Sequence, residues 1–288
     1  MDPPLTEIME ASQKLTYLKY SPDAKLSAFL ICYYFFEGNF DVENIIQSPP
    51  TGYTAITFNF LDTYEVCSGT DVEFTRNPPA VVVGQQTKNY KLKFSGHIQQ
   101  LGIVLKPTAV ATLFDYSLRG VIDKRIALEL VIGDAACQLL FDRLKKEKRT
   151  EYRLALLHSF LLEAMQGYET KLNVADLAGD IILKNKGAIT IEQLLDELCV
   201  SRRHLERKFT DKVGLTPKQY CRIVRMAHIS NIVAHQEEID WQDLVYNGGF
   251  HDQNHFIKDF KALNKLSPTK YHQEHSELIR LLRAKKNT

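Results

Sequence analysis

The sequence predicts an α+β chain: a β-rich front, a helical connector and an all-α C-terminal part. Three observations carry that reading. Runs of aromatic and β-branched residues, set apart by Pro, Gly and Asn, fill the stretch from Phe29 to about Leu105. From about Thr108 the apolar residues recur at helical spacing instead. Near the C-terminus FTDKVGLTPKQY (Phe209 to Tyr220) returns 51 residues later as FKALNKLSPTKY (Phe260 to Tyr271), with Phe, Leu, Pro and Tyr in register. The expected division is 1–120 for the β-rich domain, 121–172 for the connector and a dimerising surface, and 173–288 for a double helix-turn-helix domain.

The strands expected in order are FLICYYFF (Phe29 to Phe36), YTAITFNF (Tyr53 to Phe60), AVVVG, YKLKF and HIQQLGIVL, separated by turns such as QSPPTG and TRNPPA. Several short strands at this spacing suit a barrel or a sandwich. Leu128 to Lys146 and Thr150 to Met165 read as helices, with KKEKR (Lys145 to Arg149) breaking them. The apolar surplus of LALLHSFLLEAM suits either a cover for the sheet or a dimer surface.

Beyond about Val174 the pattern is helix, short turn, helix, repeated. Asn173 to Lys184 makes one helix, and Thr190 with Gln193 three residues on has capping-box spacing for the next. Ser201 caps a third. Thr216-Pro217-x-Gln219 sets an N-cap, a first-turn proline and a capping-box glutamine in order. The long helix that follows ends before Asp240, which caps WQDLVYN. Gly248-Gly249 break that helix, Asp252 caps another, and Ser267-Pro268 repeats the cap-plus-proline start of a final helix.

The net charge of +1 conceals an asymmetry, because 17 Lys and Arg face 13 Asp and Glu from Asn185 onward, against 19 and 22 before it. A polyanion therefore belongs to the tail. The five cysteines are scattered and contain no CxxC pair, which speaks against a disulfide framework and a zinc site. The segment MDPPLTEIMEASQ lacks the basic and apolar regions of a secretory signal, and no run is apolar enough for a membrane helix. The expectation is a cytoplasmic protein without membrane contact.

A helical unit used twice, each time with a cationic outer face, suits one long regular ligand: duplex DNA. With Leu205, Phe209 and Val213 turned inward, the outer face of the second helix of the first unit holds Arg203, Arg207 and Thr210, flanked by Glu206, His204 and Asp211. In the second unit Phe256, Phe260 and Leu263 turn inward, and Asn254, Lys258 and Lys261 fall outside, flanked by His255. Arg pairs bidentately with guanine and Asn with adenine. Base contacts are therefore expected from Arg203, Glu206, Arg207, Asn254, His255 and Lys258. Phosphate contacts are expected from Lys208, Lys212, Lys218, Lys261, Lys265 and Lys270.

The segment from about Ile189 to Gln273 resembles the AraC/XylS-type DNA-binding domain, through VSRRHLERKF with GLTPKQY in the first half and GFHDQNHFIKDFK with LSPTKY in the second. The resemblance implies a bacterial transcription regulator whose two recognition helices enter successive major grooves on one face of DNA, joined by the long helix. Promoter DNA, a small-molecule effector, RNA polymerase and a second copy of the chain are the expected partners, with the front domain sensing an effector, dimerising, or both. Leu195 and Val245 depart from the family's small Ala, Cys199 from its turn Gly, Lys265 from a Gly, and Lys258 from a common Arg. SPPTGYTAITFNF and LGIVLKPTAVATLF are similar to the cupin-like front domain of some such regulators. A metal-using cupin needs clustered ligands such as HxH with Glu, whereas this half holds only His97 and His158, neither with a His partner. No cofactor or catalytic residue is expected. The alternative of a cupin-fold enzyme or a DNA-repair protein finds no Gly-rich phosphate loop or reactive cysteine motif.

Overall fold

The computed structural model describes residues 15–68, 73–236, 238–250 and 252–273. The signal reading of the first 13 residues, and the end of the basic tail beyond 273, lie outside the described residues. The front domain holds β1 (Thr16–Tyr20), β2 (Leu30–Ser48), β3 (Thr54–Asn59), β4 (Glu65–Ser68), β5 (Thr75–Arg76), β6 (Ala80–Val83), β7 (Tyr90–Leu105) and β8 (Arg125–Ala127). They form one antiparallel sheet in the order β1-β2-β7-β3-β6-β8, with β4 on β7 and β5 on β4.

FLICYYFF is not a short strand. It opens β2, which runs for 19 residues, and YKLKF and HIQQLGIVL are likewise one strand, β7. The two pair from Leu30↔Leu105 to Ser48↔Tyr90, with a register shift between Phe40 and Asn44. A bulge bends a ribbon without ending it. The sheet also continues past residue 120, since β8 pairs with β6 through Val82↔Ile126.

Strand alternation gives the sheet two apolar faces. On one, Ile56, Phe58, Leu101, Ile103 and Leu105 are fully buried in a core shared with the helices. These helices are α1 (Ala109–Phe114), α2 (Glu129–Ile132), α3 (Asp134–Lys146) and α4 (Thr150–Ala164). The helix expected over 128–146 is two, because Gly133 at φ 85° interrupts it. Leu140, Leu144, Leu157 and Leu161 join the same core, so the apolar surplus of α4 covers the sheet. Arg153, 1% exposed, ties α4 to the end of α3: its Nε donates to the carbonyls of Leu144 (2.9 Å) and Glu147 (2.8 Å).

The C-terminal part contains α5 (Val174–Lys184), α6 (Ile191–Leu198), α7 (Arg202–Val213), α8 (Pro217–His235), α9 (Trp241–Asn247) and α10 (Gln253–Asn264), with a further helical turn at 268–273. Each expected cap is made, and Asn173, expected as the first residue of α5, is a cap as well. Asn173, Thr190 and Thr216 complete capping boxes, while Ser201, Asp240 and Asp252 accept from the first-turn amides. Such a cap is worth about 1 kcal/mol. The two units have separate cores, and α8 supplies both. Tyr220, Cys221, Ile223 and Val224 pack with Leu205 and Phe209, whereas Met226, Ile229 and Val233 pack with Phe256 and Phe260.

Candidate nucleic-acid interface

The second helices of the two units are α7 and α10. Leu205 and Phe209 turn fully inward on the first, Phe256 and Phe260 on the second, and the outer residues face solvent as their spacing requires. Arg203, Arg207, Asn254, Lys258 and Lys261 are exposed; Glu206 and Thr210 are half-buried. His255 is exposed but engaged, since its ring stands edge-on to Phe250 and its Nε2 lies 3.6 Å from the Asp259 carboxylate.

The first unit meets α8 through packing, and the second is also tied to it by polar contacts. Arg222 donates from Nη2 (2.7 Å) and Nε (3.1 Å) to the two oxygens of the buried Asp259, clamping α10. Arg225 donates from Nη1 to the Gly249 carbonyl (2.9 Å), and its guanidinium lies 4.5 Å from the Phe250 ring centre. Burial lowers the pKa of Arg225, opposed by the Asp259 charge. Asn264 reaches Ser230 at 2.8 Å.

Of the expected phosphate contacts, Lys218, Lys261, Lys265 and Lys270 are exposed and Lys208 is half-buried. Lys212 is a correction. Its side chain is 10% exposed, and its ammonium donates to the Thr112 hydroxyl (2.8 Å), the Lys171 carbonyl (2.8 Å) and the Asp176 carboxylate. With its side chain enclosed and three acceptors around the ammonium, the charge is consumed inside the protein. The repeat itself carried the signal: 51 residues on from Lys212 stands Leu263, an inner residue of the second unit.

Lys212 belongs to a contact between the front domain and the first unit. Ser117 donates to the Asp211 carbonyl (2.9 Å), Leu118 N–H donates to the same carbonyl (3.2 Å), and Tyr220 donates to the Gly52 carbonyl (2.9 Å). Lys106 pairs with Asp180 at 2.9 Å. Gly214 ends α7 in left-handed backbone, and a Cβ there would lie 2.8 Å from the Leu118 carbonyl oxygen. A glycine is needed for so close an approach.

Two residues that sequence reasoning missed join the cationic surface. Arg119 of the front domain lines an open cleft with Arg202, Arg203, Glu206, Arg207, Thr210 and Thr216. Nothing local in the sequence points to Arg119, which arrives there through the domain contact. Arg202 was legible as a cation at the start of α7, but its guanidinium holds Glu192 of α6 at 2.7 Å. The Glu192 carboxyl is held below the usual range by its own backbone N–H first, and by Arg202.

The histidines of the front domain hold carboxylates: His97 Nε2 lies 3.1 Å from Glu37, and His158 Nε2 lies 3.4 Å from Asp23. Among the described residues no three His, Cys, Asp or Glu are grouped to hold a metal ion. None of their helices is long and apolar enough to cross a membrane.

Residues 194–274 match the model of a helix-turn-helix domain, and residues 18–127 match that of a domain of unknown function (DUF6597). Over 88 residues the chain is 31% identical to the HTH-type transcriptional activator RhaS of Citrobacter koseri, covering 31% of each. It is 28% identical over 88 residues to the lactose operon transcription activator of Staphylococcus xylosus, again 31% of each. The chain thus spans about a third of the length of the curated relatives it matches. Among solved structures, apo ToxT from Vibrio cholerae aligns over 92% of this chain and 98% of that one, at 13% identity and a TM-score of 0.43.

Proposed function

We propose, from the premise that residues 194–274 form an AraC/XylS-type helix-turn-helix domain, that the protein is a sequence-specific DNA-binding transcription regulator acting in the cytoplasm. The observation that carries this reading is the pair of exposed outer faces at one fixed offset, Arg203 with Arg207 on α7 and Asn254 with Lys258 on α10. The helix between them has 19 residues, about 28 Å at 1.5 Å per residue. Successive major grooves on one side of a duplex are roughly 34 Å apart, so a helix of this length suits two readers on neighbouring turns.

In this reading α7 carries the guanine-directed arginines and α10 contributes more to positioning. Lys208, Lys218, Lys261, Lys265 and Lys270 contact phosphates, and Arg119 extends the cationic surface from the front domain. The front domain senses an effector and presents two such chains as a homodimer to promoter DNA and RNA polymerase. A ligand acts there by binding two states of the protein with different affinity.

Anisotropy titration with the promoter DNA beside the protein's own gene tests it. Arg203→Ala and Arg207→Ala should each lose about 1–3 kcal/mol of specific binding and keep salt-sensitive non-specific binding. Arg119→Ala should weaken all sequences alike and reduce the salt slope. Unchanged specific affinity in both α7 variants would remove α7 from the reading role.

A further inference from the structure

The second apolar face of the sheet encloses a cavity of about 120 Å³. Tyr17 of β1 and Arg125 of β8, which stand on the two edge strands, both line it, so the sheet curls until its edges share one space. The walls are the alternate residues to those of the main core: Ala55 and Thr57 stand on either side of Ile56, and Val104 between Ile103 and Leu105. Tyr34 lies across Gly102, where a Cβ would sit 2.1 Å from the ring, and donates to or accepts from Thr57 at 2.8 Å.

Two polar groups in this wall are unsatisfied. The Nε and Nη1 of Arg125 are buried without a hydrogen-bond partner among the described residues, although the guanidinium lies 4.4 Å from the centre of the Tyr90 ring. No carboxylate among the described residues stands within ion-pair distance of it. Gln86, 5% exposed, donates from Nε2 to the Gly84 carbonyl at 3.0 Å, which leaves its buried Oε1 without a partner. Arg125 as a residue is half-buried and its charge also acts on Tyr64, but its two enclosed N–H donors remain unused, and a guanidinium is the side chain best matched to a carboxylate.

We propose that this cavity binds a small organic monocarboxylate with one apolar ring or a short alkyl chain. The carboxylate takes the free donors of Arg125, and the apolar part lies against Ala55 and Val104. The Gln86 carbonyl receives a hydroxyl or N–H if the ligand has one. The size sets an upper limit: at about 120 Å³ the cavity is somewhat smaller than the roughly 150 Å³ apolar cavity that takes up benzene, so no more than one ring or a short chain fits. A phosphate would require several more donors than one guanidinium in an otherwise apolar wall. The proposal deepens the sensing role given to the front domain.

Calorimetric titration of the full chain with phenylacetate, benzoate and hexanoate, and with phenylacetamide as the uncharged match, tests it. At least one acid should bind at one per chain, phenylacetamide should bind roughly tenfold more weakly or worse, and Arg125→Gln should lose roughly tenfold or more for the acid. Ala55→Leu, which fills the cavity and leaves Arg125 in place, should lose it too, and decides the matter should Arg125→Gln not fold. No binding of any acid at millimolar concentration, equal binding of the amide, or unchanged binding in a folded variant would overturn the proposal. Promoter titration without added acid scores the DNA reading separately, so failure of one is not failure of the other.

Discussion

Cys199 and Lys265 hold left-handed backbone, at φ 51° and 63°, where most chains would place glycine. For Cys199 that conformation was legible as a departure in the turn of the first unit. What the sequence did not reveal is why the first unit kept Gly214 at φ 86° while the second put Lys265 in its place. Gly214 ends α7 and Lys265 ends α10, but only Gly214 has the Leu118 carbonyl against it; Lys265 faces solvent. Cys199→Gly and Lys265→Gly should therefore each raise stability by about 1 kcal/mol in urea denaturation. Gly214→Ala should lower it by more than that, since it adds a clash to the backbone cost. Lys212 misleads by residue type, since a lysine reads as surface, although at seven residues from Leu205 it falls about 20° from it on the inner face of α7.

At the scale of elements, the helices were legible and the strand lengths were not. Caps are local, so Thr190, Ser201, Thr216, Asp240 and Asp252 could be placed from the sequence, and all five accept from first-turn amides, as does Asn173, which reads in the sequence as the first residue of its helix. Strand length is decided by the partner strand: β2 carries on past the unpaired residues 41–43 because β7 pairs with it on both sides of that bulge. β1, β4 and β5 carry too little pattern to be seen alone. In α8 one residue makes a pH prediction. Burial and the Lys186 charge lower the His228 pKa below the usual 6.5, and its Nδ1 is buried without a partner. The unfolded chain then takes up the proton first as pH falls. Stability is fully retained above about pH 6.5 and lost as pH falls from there through the lowered folded-state value. The melting temperature should drop between pH 7.5 and 5, and His228→Gln should flatten part of that slope; an unchanged slope would mean that His228 is not its source.

Across the whole molecule the two units differ most in what they touch. The first is fastened to the front domain through Lys212, Asp211, Gly214 and Tyr220, while α8 and the Arg222–Asp259 pair carry the second. Lys212→Met would leave the Asp176 carboxylate buried without its ammonium, at a cost of about 3 kcal/mol. Lys261→Met, at an exposed position, should shift the urea midpoint by less than about 0.5 kcal/mol. Equal effects of the two would show that the buried pair adds nothing. The two-domain order and the repeat were visible in the sequence. The domain contact was not, because none of its partners lie near one another along the chain.

The loop at 49–53 has a double allegiance. Pro49, Thr51 and Tyr53 line the cavity, while the Gly52 carbonyl between them accepts the hydroxyl of Tyr220, the first turn of α8. A Cβ on Gly52 would lie 2.8 Å from Val224, so the loop cannot move toward the helix without displacing it. On the proposed reading, an occupant that shifts this loop would change the free energy of DNA binding, and thermodynamic linkage would make the debt mutual: DNA would alter the occupant's affinity by the same factor. The promoter would then itself be an effector of the cavity, and the dissociation constant of the acid measured with and without DNA tests that coupling directly.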